Sequence, residues 1–204
     1  MKRMVHKGRF VRNPLAQSAL KNIERFVGAI VNASVEPHPG APLLVNLAVA
    51  IEHSGVYLGD GEVAELHGSG GLRRVSLDTF RDGEDEAGVR TGAFVYAACD
   101  RRTGRVLGSE GAARMARAIV EKVGRLDYNI LFNNCHLFTA TCLLERLPSK
   151  ERTGIFTAAA LEAVVAARLN AGRPVAWHPV CGYDADPGLL PRKFARLVKK
   201  EMAR

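Results

Sequence analysis

Apolar residues recur every three or four positions through "NPLAQSALKNIERFVGAIVNA", which predicts a helix over 14–32. The breaker cluster "VEPHPGAP" ends that pattern. "PLLVNLAVAIEHSGVYL" then runs almost unbroken in Val, Leu and Ile, and predicts two consecutive strands or one bent strand. "GDG" at 59–61 is a turn signal and "EVAELHG" alternates as a returning strand, so the two make a hairpin. After it, "GSGG" reads as a flexible link, "SLDTF" as one short helical turn and "RDGEDEAGVR" as an exposed acidic loop. "GAFVYAACD" predicts another strand. "SEGAARMARAIVEKVG" has a Ser start, an early Glu, helical spacing and a closing Gly, which together specify a helix. "YNILFNNCHLFTATCLLERL" turns at its asparagines and becomes a helix ending before Pro148. "TAAALEAVVAARLNAG" is a further helix with a Gly stop. "RPVAWHPVCGYDADPG" reads as loop, and the chain ends in a basic helix.

Strands and helices are therefore grouped, not regularly alternating. That predicts an α+β fold, with helices against one antiparallel sheet. No internal repeat or low-complexity block interrupts the 204 residues, which suffice for a single domain with a real core. The formal charge of +8 permits an anionic membrane surface, nucleic acid or an acidic substrate as partner without selecting among them. The basic clusters "MKRMVHKGR" and "RKFARLVKKEMAR" at the two ends are expected to be solvated. No secretory pattern and no membrane-length apolar run is visible, so a cytoplasmic location is expected. Four cysteines (Cys99, Cys135, Cys142 and Cys181) are too few for a disulfide framework in this length, and reduced thiols follow.

Candidate chemistry centres on Cys135. It stands where a helix is predicted to start, behind Asn133 and Asn134, both good caps. A helix N-terminus and a nearby imidazolium each favour thiolate over thiol. Against this, most cysteines are buried and inert, and Cys142, seven residues on, illustrates that reading. His53 opens the strand "HSGVYLGDG", and a histidine on a strand edge can serve as base to a thiol on a facing helix. If the hairpin turns at Asp60, Glu65 and His67 both share the face of His53, and spacing leaves either able to hold the imidazole.

"EHSGVYLGDGEVAEL" resembles the histidine block of the permuted NlpC/P60 proteins, the group that includes lecithin:retinol acyltransferase. "YNILFNNCHLFTA" resembles their cysteine block. The order, histidine block first, is the permuted one. The resemblance implies a papain-like α+β core over 39–148, between helical extensions over 1–38 and 149–204. It implies Cys135 as nucleophile, His53 as base and acyl transfer through an acyl-enzyme, with an acyl- or peptide-containing substrate and no cofactor. Counting along the histidine block puts Glu65 at the third polar position, where the acyltransferase branch commonly has a second histidine. After the cysteine, His136 and Leu137 replace that branch's Glu-His. The first departure points to the bacterial-type hydrolases. A carboxylate at Glu65 accepts from the imidazole and stabilises its cation, so Glu65 is the first choice for the orienting residue and His67 the second. The backbone N–H of Cys135 is a natural oxyanion donor. Tyr57, Asn133 and Asn134 are candidates for a second donor, although Tyr57 also fits a core strand aromatic.

Two other classes compete. "HPVC" places His178 and Cys181 three apart, and Cys135 and His136 could complete a metal site, but paired CxxC spacing is missing. The alternative is a catalytically degenerate basic protein that contacts a membrane surface or nucleic acid. No Gly-rich phosphate loop or nucleic-acid motif supports specific nucleic-acid binding.

Overall fold

The apolar run after Pro42 folds as two antiparallel strands, because near-continuous branched residues can fill both faces of a covered sheet. In the computed structural model, residues 33–48, 51–83, 94–124, 134–146 and 157–183 are described. Strands β1 (Pro42–Ala48) and β2 (Ile51–Gly59) are followed by β3 (Glu62–Leu66) and β4 (Leu72–Ser76), then the short helix α1 (Leu77–Asp82). Strand β5 (Val95–Asp100) and helices α2 (Glu110–Val123), α3 (Cys135–Leu144) and α4 (Ala158–Leu169) come next, and β6 (Val175–Pro179) closes the sequence of elements. One six-stranded sheet runs in the order β4-β3-β2-β1-β5-β6, and every pair within it is antiparallel. The fold is α+β.

Both faces of the sheet are covered. On one, Val56, Leu58, Ala64 and Leu66 pack against Ala116 and Ile119 of α2 and Phe138 and Cys142 of α3. The same layer continues over Tyr96 and Ala98, where Leu143 of α3 and Leu161 and Val165 of α4 meet Trp177 of β6. On the other face, Leu43, Val45, Val63 and Ala97 pack against Leu77 and Phe80 of α1. Helix α3 is the most enclosed element: all its residues from Cys135 to Leu143 are buried.

Several expectations change. Residues 173–183 were expected to be loop, yet Val175–Pro179 form β6, paired with β5. Val175, Trp177 and Pro179 alternate inward while Ala176 and His178 are half-buried, a period-2 pattern that the flanking prolines mask. The expected helical extension over 149–204 thus contributes a strand to the common sheet. "GSGG" is no flexible link but a tight connection, in which His67 N–H donates to Gly71 O at 2.8 Å and Gly70 N–H to His67 O at 2.8 Å. It leads into β4, whose two arginines obscured its alternation. His53 does not open its strand or lie at a sheet edge: β2 begins at Ile51 and runs between β1 and β3. The expected helices over 14–32 and at the C-terminus, and most of the acidic loop, lie outside the described residues. Among the described residues no helix is long and apolar enough to cross a membrane.

Candidate active site

His53 and Ser54 are consecutive on β2, so their side chains leave opposite faces of the strand. His53 lies on the α1 side, its ring centroid 5.4 Å from that of Phe80. Ser54 lies on the α3 side and hydrogen-bonds Thr139. The β2–β3 ladder ends at the Gly55–Glu65 pair, one residue from Ser54. Here the first residue of α3 meets the sheet, and Cys135 is electrostatically coupled to the His53 side chain and to Ser54. Gly55 is required at this junction: a Cβ there would lie 2.7 Å from Val63 Cγ1 and 2.8 Å from Ala64 O.

The register brings Glu65 to His53. Glu65 pairs directly with Gly55, which puts His53 on the diagonal, two residues along the same face. The two side chains span that gap, with His53 Nε2 2.6 Å from Glu65 Oε2. The cross-strand partner of Glu65 on its other side is Arg73 of β4. Arg73 Nε donates to Glu65 Oε1 at 2.8 Å, and its Nη2 lies 2.7 Å from the same oxygen. Each carboxylate oxygen is thus taken by a different cation or donor. The result is a buried chain from Arg73 through Glu65 and His53 to Cys135. Glu65 is 0%, His53 3% and Cys135 4% exposed.

The electrostatics of the chain are cooperative. Burial alone would lower the His53 pKa. The Cys135 charge and hydrogen bond, followed by those of Glu65, outweigh it and raise the imidazole to about 9. Burial alone would raise the Cys135 thiol, but the His53 charge and hydrogen bond, and hydrogen bonds from the backbone and side chain of Ser54, bring it below its ordinary value. Glu65 is likewise penalised by burial, yet His53 and then Arg73 hold it down at about 2. The coupling therefore favours the charged forms, thiolate, imidazolium and carboxylate, over what burial alone would leave. The other buried thiols behave oppositely. Burial pushes Cys99 up to about 11, and Cys142 far above its usual range.

Helix α3 begins at Cys135 because Asn134 caps it: Asn134 Oδ1 accepts from Leu137 N–H at 2.9 Å. That makes Cys135 the first helical residue, where backbone N–H groups have no partner within the helix and carry partial positive charge.

Among the described residues, the other expected ones have partners of their own. The side-chain oxygen of Asn134 is spent on the cap. Tyr57 lies four residues along β2, about 13 Å at strand rise, and its hydroxyl accepts from Gly61 N–H at 3.1 Å in the hairpin turn. Asn133 lies outside the described residues. His67 belongs to the connection after β3, where its Nδ1 is 2.9 Å from Ser69 Oγ. His178 stands on β6 and Cys181 just after it, and among the described residues no three His, Cys, Asp or Glu side chains cluster as a metal site. Sequence reasoning missed Arg73 and Ser54. The first was hidden in an unrecognised strand, although once the β3–β4 register is known it falls opposite Glu65. The second was passed over as the residue between His53 and Gly55.

Comparison with protein-family models, curated proteins and solved structures finds no match.

Proposed function

We propose that the protein is a thiol hydrolase or acyltransferase acting on an amide, ester or thioester carbonyl, with Cys135 as nucleophile, His53 as acid and base, and Glu65 as the orienting carboxylate. The observation that carries this reading is the buried row Glu65–His53–Cys135, in which Glu65 bonds the imidazole and the imidazole couples to the thiol, lowering its pKa where burial alone would raise it. A purely structural cysteine gains nothing from such surroundings. The permuted NlpC/P60 resemblance belongs to the same proposal: a histidine strand followed in sequence by a capped helix that starts at the cysteine suits a permuted papain-like core.

The chemistry follows from the proton positions. Glu65 occupies Nε2 of His53, which leaves Nδ1 for the sulfur. The thiolate attacks the carbonyl carbon and a C–S bond forms. The oxyanion is met by the Cys135 backbone N–H. As the tetrahedral species collapses, the bond to the leaving amine, alcohol or thiol breaks, and His53 Nδ1–H supplies that group's proton. The neutral imidazole then takes a proton from water or an acceptor nucleophile, which attacks the thioester and releases the acyl group, restoring thiolate and imidazolium.

A panel of peptide, acyl-ester and thioester substrates, assayed with wild type and Cys135→Ala, tests this. Turnover of at least one class, lost in Cys135→Ala and accompanied by an acyl adduct on Cys135 in the mass spectrum, is the expected result. Equal turnover by both proteins would refute it.

A further inference from the structure

Strand β4 lies at the edge of the sheet and carries two consecutive arginines, whose side chains leave opposite faces. Arg74 pairs with Glu62 of β3, and the two side chains are 43% and 42% exposed. Arg73 turns to the face that carries His53, where its guanidinium meets the fully buried carboxylate of Glu65. Both of its contacts fall on one oxygen: Nε donates to Oε1 at 2.8 Å, and Nη2 lies 2.7 Å from the same atom. The other oxygen, Oε2, lies 2.6 Å from His53 Nε2. One negative charge thus faces two cations whenever the imidazole is protonated. A guanidinium is always charged, so its share is permanent. Water screens the exposed Arg74 pair, whereas the buried pair acts through a lower dielectric and is felt by its neighbours.

We propose that Arg73 is a positioning residue: it binds Glu65 Oε1, leaves Oε2 to His53, and draws off part of the carboxylate charge, so that the imidazolium is held less firmly than Glu65 alone would hold it. This rests on the reading of His53 as acid and base to Cys135. In that chemistry the imidazolium hands a proton to the leaving group, and a carboxylate that bound the cation too tightly would slow the release. Arg73 opposes such binding in two ways. It occupies one of the two carboxylate oxygens, and its own positive charge disfavours a second cation nearby. The titratable groups facing the His53 ring are Glu65 from β3 and Cys135 from α3, with Arg73 of β4 behind Glu65. From β1 the residue paired with His53 is Val45, and α1 presents Phe80, both uncharged.

Titration of the His53 ring by NMR, in full-length Cys135→Ala protein, tests the proposal without substrate and without coupling to the thiol. Against that background Arg73→Met is expected to raise the His53 pKa by about one, roughly a tenfold smaller share of neutral ring on the acid side. Arg73→Lys, which keeps the charge, is expected to raise it less. Arg74→Met removes a cation from the same strand and is expected to leave it unchanged, because Arg74 bonds Glu62 on the opposite face. An unchanged or lowered His53 pKa in Arg73→Met overturns the proposal, since a residue that only fastened β4 to β3 would move the melting temperature alone. So does a rise in Arg73→Lys as large as in Arg73→Met, or an equal rise in Arg74→Met, which would make the effect one of net charge. Should Arg73→Met fail to fold, Arg73→Gln, which keeps a donor for Oε1 without the charge, is read by the same criterion. Failure of Cys135 as nucleophile shows separately, as an ordinary thiol pKa in alkylation of the wild type, a result that leaves the His53 titration in Cys135→Ala unaffected.

Discussion

At the scale of single residues, Glu65 stands between two cations, and its variants separate charge from shape. Glu65→Gln keeps an acceptor for His53 but leaves the Arg73 charge uncompensated beside the imidazolium. Loss of the carboxylate charge and the uncompensated Arg73 charge both destabilise the charged ring, so the His53 pKa should fall from about 9, and the alkaline limb of the pH–rate profile should move to lower pH. Adding Arg73→Met should return part of that shift. A limb that stays in place in Glu65→Gln would show that the carboxylate does not tune the base. His53→Ala removes the base outright, and the loss should be on the order of 10²–10⁴ in rate. Because His53 is buried in a central strand, that variant also opens a cavity against Phe80 and should lower the melting temperature. Thermal unfolding must be followed beside activity, and loss of activity at a temperature where the variant is still folded is the expected pattern. His67→Ala should change little, since the His67 ring is engaged by Ser69.

At the scale of elements, the start of α3 sets the nucleophile. Asn134→Ala removes the cap and should cost about 1 kcal/mol of stability, read as a lower denaturation midpoint. It should also slow alkylation of Cys135, because the first turn of the helix frays. An unchanged midpoint would mean that the cap contributes nothing. Gly55→Ala tests the junction from the strand side. Its Cβ collides with Val63 and the Ala64 carbonyl, and overpacking of this kind typically costs about 1–3 kcal/mol. The elements also show what could be read in advance. Helix α2 was legible because Ser109, Glu110 and Gly124 mark its ends, and α3 because Asn134 precedes a solid apolar run. The hairpin face shared by His53 and Glu65 followed from period-2 alternation about Asp60. Strand β4 was not legible, because Arg73 is charged yet turns towards a buried carboxylate, and alternation alone cannot announce such pairing. Strand β6 escaped because Trp177 and Pro179 alternate over only five residues between breaker signals. Its partner, β5, is distant in sequence.

For the whole molecule, the buried charges link stability to pH. Glu65 in the folded protein titrates at about 2, below its ordinary value of 4.5. A depressed carboxylate contributes stability that is fully present above its unfolded pKa and is lost as pH falls through the folded one. Stability should therefore decline between about pH 4.5 and 2, and Glu65→Gln should flatten that part of the curve. His53 has the opposite sign: its raised pKa contributes stability present below 6.5 and lost as pH rises through about 9.

The central claim is that Cys135 exists as a thiolate paired with His53 at neutral pH. Its most direct test is the pH dependence of alkylation followed cysteine by cysteine in the mass spectrum. The account predicts that Cys135 is modified first at neutral pH, with an apparent pKa below the ~8.5 of a free thiol, and that His53→Ala raises that value. Faster modification of Cys181 or Cys99, or a Cys135 pKa at or above that of a free thiol, would contradict it.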